Sequence, residues 1–153
     1  MPTRQIVAIL HNVRSRENVG SIFRTADAAG VAKIYLCGIT PQPPHDKISK
    51  TALGAETTVP WEYHKQTWRL IEQLKKDGYQ VVSLEKSKTA TDIFKFKKRA
   101  GLLGLVVGNE VLGLSPEILK RSNRVVSIPM RGQKESLNVA VAFGVAVYEF
   151  KKK

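Results

Sequence analysis

Apolar positions along this chain fall into two kinds of block. Short, nearly unbroken apolar runs recur at residues 5–10, 33–36, 79–84, 102–107 and 125–129. The first reads as a buried strand and the others as its companions. Between them lie stretches with helical spacing. In residues 18–29 the apolar side chains Val19, Ile22, Phe23, Ala26 and Ala29 mark one helix face, with Asn18 as the expected N-cap and Gly30 as the stop. Residues 67–76 predict a second helix closed by Gly78, and Ser115-Pro116 supplies a cap and first-turn proline for a short helix ending near Arg121. The proline-rich stretch 41–46 is expected to be loop. Strand and helix thus alternate, which predicts an α/β fold with a mostly parallel sheet and helices on both faces.

The last block differs in kind. Ser136 is the expected cap of a helix running through Phe150, in which Leu137, Val139, Ala140, Val141, Ala142, Phe143, Val145, Ala146, Val147 and Tyr148 leave almost no polar face. A helix apolar all round is buried all round. A subunit interface meets that demand; the competing explanation is a central core helix in a monomer.

Composition narrows the class. The chain has 153 residues, about one domain, and 42% hydrophobic residues, which excludes disorder. No apolar run reaches the roughly 18 residues needed to cross a bilayer, and no signal-peptide pattern opens the chain, so a soluble cytoplasmic domain is expected. Cys37 is the only cysteine, which rules out an intrachain disulfide or a Cys-rich zinc site. The net charge is +12, and it points to a polyanionic partner: nucleic acid first, a membrane surface as the rival. Positive charge is densest where Lys86, Lys88, Lys95, Lys97, Lys98 and Arg99 are interleaved with Phe94 and Phe96, and again in the tail 151–153, which is expected to fray. Arg4, Arg14, Arg16 and Arg24 form a third, looser group. A solvated face accounts equally well for either dense run taken alone.

Common catalytic machinery is missing. There is no phosphate-loop motif, no G-x-S-x-G elbow, and Gly101-Leu102-Leu103-Gly104 precedes a strand instead of following one. His11, His45 and His64 lack metal-ligand spacing, so no metal is expected. Cys37 suits a small apolar role. What remains is three polar clusters, each near the carboxyl end of an expected strand, where open α/β sheets bind ligands. They are Asn18 to Ala26, Gly108 to Ser115, and Ile128 to Gly132 followed by Ser136-Leu137-Asn138. Any one of them is explained by helix caps, turns and solvated loop residues; all three in one order are not.

These clusters resemble the motifs of the SpoU/TrmH family of SPOUT RNA methyltransferases. Asn18, Gly20, Arg24, Thr25 and Ala26 match its N-x-G-x-x-x-R-T-A pattern. Gly108, Asn109, Glu110, Gly113 and Leu114 match G-N-E-x-x-G-L, and Ile128, Pro129, Met130, Gly132, Ser136, Leu137, Asn138 and Val139 match I-P-M-x-G followed by S-L-N-V. The resemblance covers essentially the whole chain. It implies S-adenosylmethionine-dependent methylation of a ribose 2′-hydroxyl, with S-adenosylhomocysteine as product, and a deep C-terminal trefoil knot of the SPOUT (α/β knot) kind. It also implies a homodimer with the active site at the interface, in agreement with the last helix. Residues 1–150 would be the catalytic domain in a minimal single-domain form, and 151–153 a basic tail.

Residue roles follow from the same resemblance. Arg24 would be the catalytic arginine that places the nucleotide's phosphate and 2′-hydroxyl, its planar fork of donors suiting phosphate; the proton would go to that phosphate or to water. Asn18 would orient substrate or Arg24, Glu110 would pair with an arginine of the site, and Asn138 would supply amide hydrogen bonds near the ribose. The cofactor would lie against Leu84, Gly108, Ile128, Met130, Ser136 and Leu137, with Gly108 letting the backbone approach it. RNA would be gripped by Arg14, Arg16, Lys86, Lys88, Lys97, Lys98 and Arg131 in place of an accessory domain. tRNA is the first expectation and rRNA the second, with motif details nearer the TrmH branch than the wobble-position branch. A non-catalytic RNA-binding or assembly module that kept the fold is the competing class.

Overall fold

The computed structural model describes residues 5–97 and 101–152. Seven strands form one sheet: β1 (Gln5–His11), β2 (Lys33–Cys37), β3 (Trp61–His64), β4 (Gln80–Leu84), β5 (Thr91–Asp92), β6 (Leu102–Val107) and β7 (Arg124–Ser127). Their order is β3-β2-β1-β6-β4-β7-β5, and every pairing is parallel. Parallel strands need covered faces, and the side-chain alternation of β1 shows how this is met. Ile6, Ala8 and Leu10 join a core with Ile22 and Phe23 of α1 (Arg16–Ala29), Ile48 of α2 (Asp46–Ala52) and Phe143 and Phe150 of α5 (Val139–Lys151). Val7 and Ile9 join an opposite core with Leu70, Ile71 and Leu74 of α3 (Thr67–Lys76) and Ile118 of α4 (Pro116–Arg121). Among the described residues no helix is long and apolar enough to cross a membrane.

Three expectations need correction, each for a local reason. The cap of α1 is Ser15, whose side chain accepts from the Asn18 N–H at 3.1 Å, so Asn18 lies in the first turn with its amide free for other work. The cap of α5 is Asn138 and not Ser136; its Oδ1 accepts from the N–H groups of Ala140 (2.8 Å) and Val141 (3.3 Å). The expected strand 125–129 stops at Ser127, before Pro129, leaving Ile128 to the loop.

Three elements carry no sequence signal, one of them β5, a two-residue strand inside the basic stretch. Helix α2 follows the proline-rich loop and is capped by the His45 ring, which accepts from the Lys47 N–H at 3.1 Å. Edge strand β3 is mostly polar and lacks an apolar run. The tail is also more ordered than expected up to Lys152: Lys151 donates to the Gly30 carbonyl at the end of α1 (3.2 Å), and Lys152 pairs with Glu149. Lys153 lies outside the described residues.

The segment after β4 wraps β7 and α5. Glu85 N–H donates to the Val126 carbonyl, Ile93 N–H donates to the Ser127 carbonyl, and the Phe96 ring meets Phe150 edge-on at 5.8 Å. The carboxyl ends of β1, β4, β6 and β7 therefore converge with the N-termini of α1 and α5 at one place.

Candidate active site

The three motif clusters meet through one carboxylate. Glu110 follows β6; its Oε1 accepts from the Arg14 N–H (3.0 Å) and its Oε2 from the Ser15 N–H (2.9 Å). The Asn18 side-chain amide donates to Oε2 at 3.0 Å, and Asn138 Nδ2 in turn donates to Asn18 Oδ1 at 3.2 Å. Burial pushes the Glu110 carboxyl up, but the donors from Arg14, Asn18 and Ser15 outweigh it and hold its pKa below the ordinary carboxylate value. Among the described residues Glu110 meets the main-chain N–H groups of Arg14 and Ser15 and the Asn18 amide, not an arginine side chain, because the β1–α1 loop turns its N–H groups toward the carboxylate.

The loop that carries Glu110 is held by hydrogen bonds of its own. Asn109 Oδ1 accepts from the N–H groups of Val111 and Leu112, both at 2.9 Å, while its Nδ2 donates to the Asn12 carbonyl at 2.8 Å. Gly108 serves this turn: a Cβ there would stand 2.7 Å from the Gly113 carbonyl oxygen and from Leu114. Its missing side chain is therefore required by the loop's own packing, a different reason from the backbone approach expected for a ligand. Gly20 of the first motif has a similar explanation, since a Cβ on it would collide with the Ile48 carbonyl and Thr51 of α2.

Beside this network lies a cleft of about 470 Å³. Leu84, Gly108, Ile128, Met130, Ser136 and Leu137, the six expected cofactor residues, all line it, together with Glu110 and Asn138. Lys86 and Glu135 face each other at its edge, 3.5 Å apart and largely exposed, a pairing worth little in water. Arg24 is not among the lining residues. It is exposed on α1 and has no hydrogen-bond or ion-pair partner among the described residues.

The basic residues scatter more widely. Arg14 and Arg16 line a second depression with Lys47, Ile39, Val111 and Leu112. Lys88, Lys97 and Arg131 are exposed, and Lys98 lies outside the described residues.

Sequence reasoning missed Glu85 and Asn12. The Glu85 carboxylate lines the cleft and accepts from the N–H groups of Leu114 and Lys86 (3.0 Å for the latter). Its signal was a charge placed directly at the end of an apolar run. Asn12 adopts φ 56°, and its Oδ1 accepts from the Ile39 N–H at 3.0 Å, fixing the loop after β1. Cys37 is buried and its thiol pKa is pushed up to about 12 by that burial, against a hydrogen bond with Thr67, so it offers no thiolate.

Known proteins resemble this chain in sequence and fold. The profile of the SpoU rRNA Methylase family matches residues 5–148. A tRNA (guanosine(18)-2′-O)-methyltransferase of Aquifex aeolicus is 31% identical over 95% of this chain and 68% of its own length. The crystal structure of an AdoMet-bound rRNA methyltransferase from Sinorhizobium meliloti superposes with a TM-score of 0.88 at 30% identity, over 97% of this chain and 56% of that one. A structure concerning 2-OH methylation of C/U34 on tRNA superposes with a TM-score of 0.83 at 29% identity, over 97% of this chain and 95% of that one. The chain spans about half to two-thirds of the length of the first curated relatives that it matches, 54% and 68%. With its motifs, its parallel sheet and a match over nearly every residue, the chain belongs to the SpoU rRNA methylase family.

Proposed function

We propose that this chain is an S-adenosylmethionine-dependent RNA methyltransferase acting on a ribose 2′-hydroxyl, with tRNA as its substrate. The observation that carries this reading is the junction of Asn138, Asn18 and Glu110 at the rim of a cleft lined by all six expected cofactor residues. The cleft suits the cofactor chemically. Leu84, Ile128 and Leu137 offer apolar walls for an adenine ring, and Ser136 with the exposed main chain offers polar partners for its edge. When bound, the cofactor supplies a sulfonium methyl group. The chain's own contribution is to hold the ribose in line with it and to anchor the adjoining phosphate. The choice of tRNA is supported by the similar structure that concerns 2-OH methylation of C/U34 on tRNA.

The working unit is a homodimer. Val141 and Tyr148 of α5 are 54% and 52% exposed, two turns apart on one face of a helix whose other face, Phe143, Ala146, Val147 and Phe150, is buried. A second copy would cover that apolar face. It would also bring an Arg24 to the cleft, which no Arg24 lines within one chain. The wrapped segment 85–97 is the loop through which the C-terminal segment would be threaded as a knot.

The test is transfer of a labelled methyl group from S-adenosylmethionine to unfractionated tRNA and to rRNA, followed by mapping of 2′-O-methylated positions. Transfer to tRNA is expected. Transfer to rRNA alone would replace the substrate, and cofactor binding without transfer to either would favour a non-catalytic RNA-binding module.

A further inference from the structure

Phe94 and Phe96 look equivalent in the sequence, two aromatic rings interleaved with lysines. The structure separates them. Phe96 packs its ring against Phe150 of α5, whereas Phe94 stays 52% exposed. That exposure is not a loose end. Ile93, directly before it, is buried and its N–H donates to the Ser127 carbonyl at 2.8 Å. The Phe94 N–H donates to Asp92 Oδ1 at 2.8 Å, and the Lys95 N–H donates to the Asp92 carbonyl at 2.9 Å. The backbone is thus tied on both sides of a ring that the fold holds out into solvent.

Two features say what the ring meets. Lys95 and Lys97 follow it and are both exposed, two cations against the one carboxylate of Asp92, so the local balance favours a polyanion. Its anchor is also specific: Ile93, the residue before it, bonds the carbonyl of Ser127, and Ser127 lines the cleft. An aromatic face among cations is the chemistry that binds unpaired nucleotides, with the base stacked on the ring and the phosphates held by the lysines.

We propose that Phe94 is a stacking platform for an unpaired base of the RNA substrate, held beside the cleft while Lys95 and Lys97 contact the backbone. The proposal rests on the reading of the chain as an RNA-modifying enzyme and adds to it a residue outside the three family motifs. It also predicts that the RNA is recognised partly through a single-stranded segment near the target ribose.

The experiment compares binding of two fluorescent probes to the full chain: an oligoadenylate of roughly a dozen nucleotides, and an abasic ribose-phosphate of the same length. Phe94→Ala should weaken the oligoadenylate about tenfold or more and leave the abasic probe unchanged. Phe94→Trp should retain binding, and the Lys95→Ala, Lys97→Ala double variant should weaken both probes. If Phe94→Ala leaves oligoadenylate binding unchanged, or weakens both probes alike, the platform does not exist. If it instead halves the particle mass in light scattering, the ring is a subunit contact and the proposal is overturned. Phe94-dependent binding without any methyl transfer by the wild type would sink the enzymatic reading and leave the platform standing; normal transfer with a Phe94→Ala variant of unchanged affinity and KM for RNA would do the reverse.

Discussion

Asn18 in α1 and Glu110 in the loop after β6 are 92 positions apart in sequence and joined by a 3.0 Å hydrogen bond from Nδ2 to Oε2. The same carboxylate receives the first main-chain N–H groups after the β1 loop, and the same asparagine receives the Asn138 amide. Glu110 is therefore the fastening point of the site: it ties the loop after β6 to α1, and through Asn18 to the start of α5.

Glu110→Gln should loosen that fastening. A glutamine presents an NH2 group where three donors now converge, so at least one donor loses its acceptor. Unfolding in urea should show a loss of about 1–2 kcal/mol, and methyl transfer should fall sharply. The pH response follows from the lowered carboxyl pKa. A carboxyl lowered on folding contributes stability that is complete above its unfolded value, 4.5, and is lost as pH falls through the lower native value. The wild type should thus lose more stability than Glu110→Gln between about pH 5 and the acid limit. Parallel acid limbs for the two proteins would contradict this assignment.

Asn138 has two jobs that substitution can separate. Its Oδ1 caps α5, and its Nδ2 reaches Asn18. Asn138→Ala removes both and should cost about 1 kcal/mol of stability along with activity. Asn138→Asp keeps the cap but sets a carboxylate against Asn18 Oδ1, so thermal stability should stay near wild type while transfer is lost. An active Asn138→Asp enzyme would show that capping is the residue's whole contribution.

Arg24 gives the sharpest test of a shared site. It is exposed and unpartnered among the described residues, so Arg24→Ala should change stability by less than about 0.5 kcal/mol while abolishing transfer. Mixed dimers of Arg24→Ala with Glu110→Gln should regain activity if the arginine serves the partner's cleft, because one site then has both residues. Two inactive parents with an inactive mixture would place Arg24 and Glu110 in the same chain's site. Tyr148→Glu, set on the exposed face of α5, should yield a monomer by light scattering and lose transfer with it.

Much of the fold was legible because five of its strands are nearly continuous apolar runs alternating with helical stretches, the pattern of a parallel sheet covered on both faces. The elements that escaped, α2, β3 and β5, are short and largely polar and are held by partners distant in sequence: α2 by its contact with Gly20, β3 by pairing with β2, β5 by pairing with β7. The three motifs marked where the site lies. They could not tell a cap from a ligand-facing amide: Asn18 and Ser136 have the right chemistry for capping, yet Ser15 and Asn138 hold those posts.

By itself, then, the sequence determined the layer architecture, six of the cleft-lining residues and the family, since periodicity and motif order survive without coordinates. Tertiary structure decided which acceptor each donor finds. Glu110 takes main-chain N–H groups instead of a guanidinium because the β1–α1 loop folds over it, Gly108 is small for its own turn, and Phe94 is left out of the core that Phe96 enters. Such choices depend on the positions of atoms far apart in the chain, and local pattern carries no record of them.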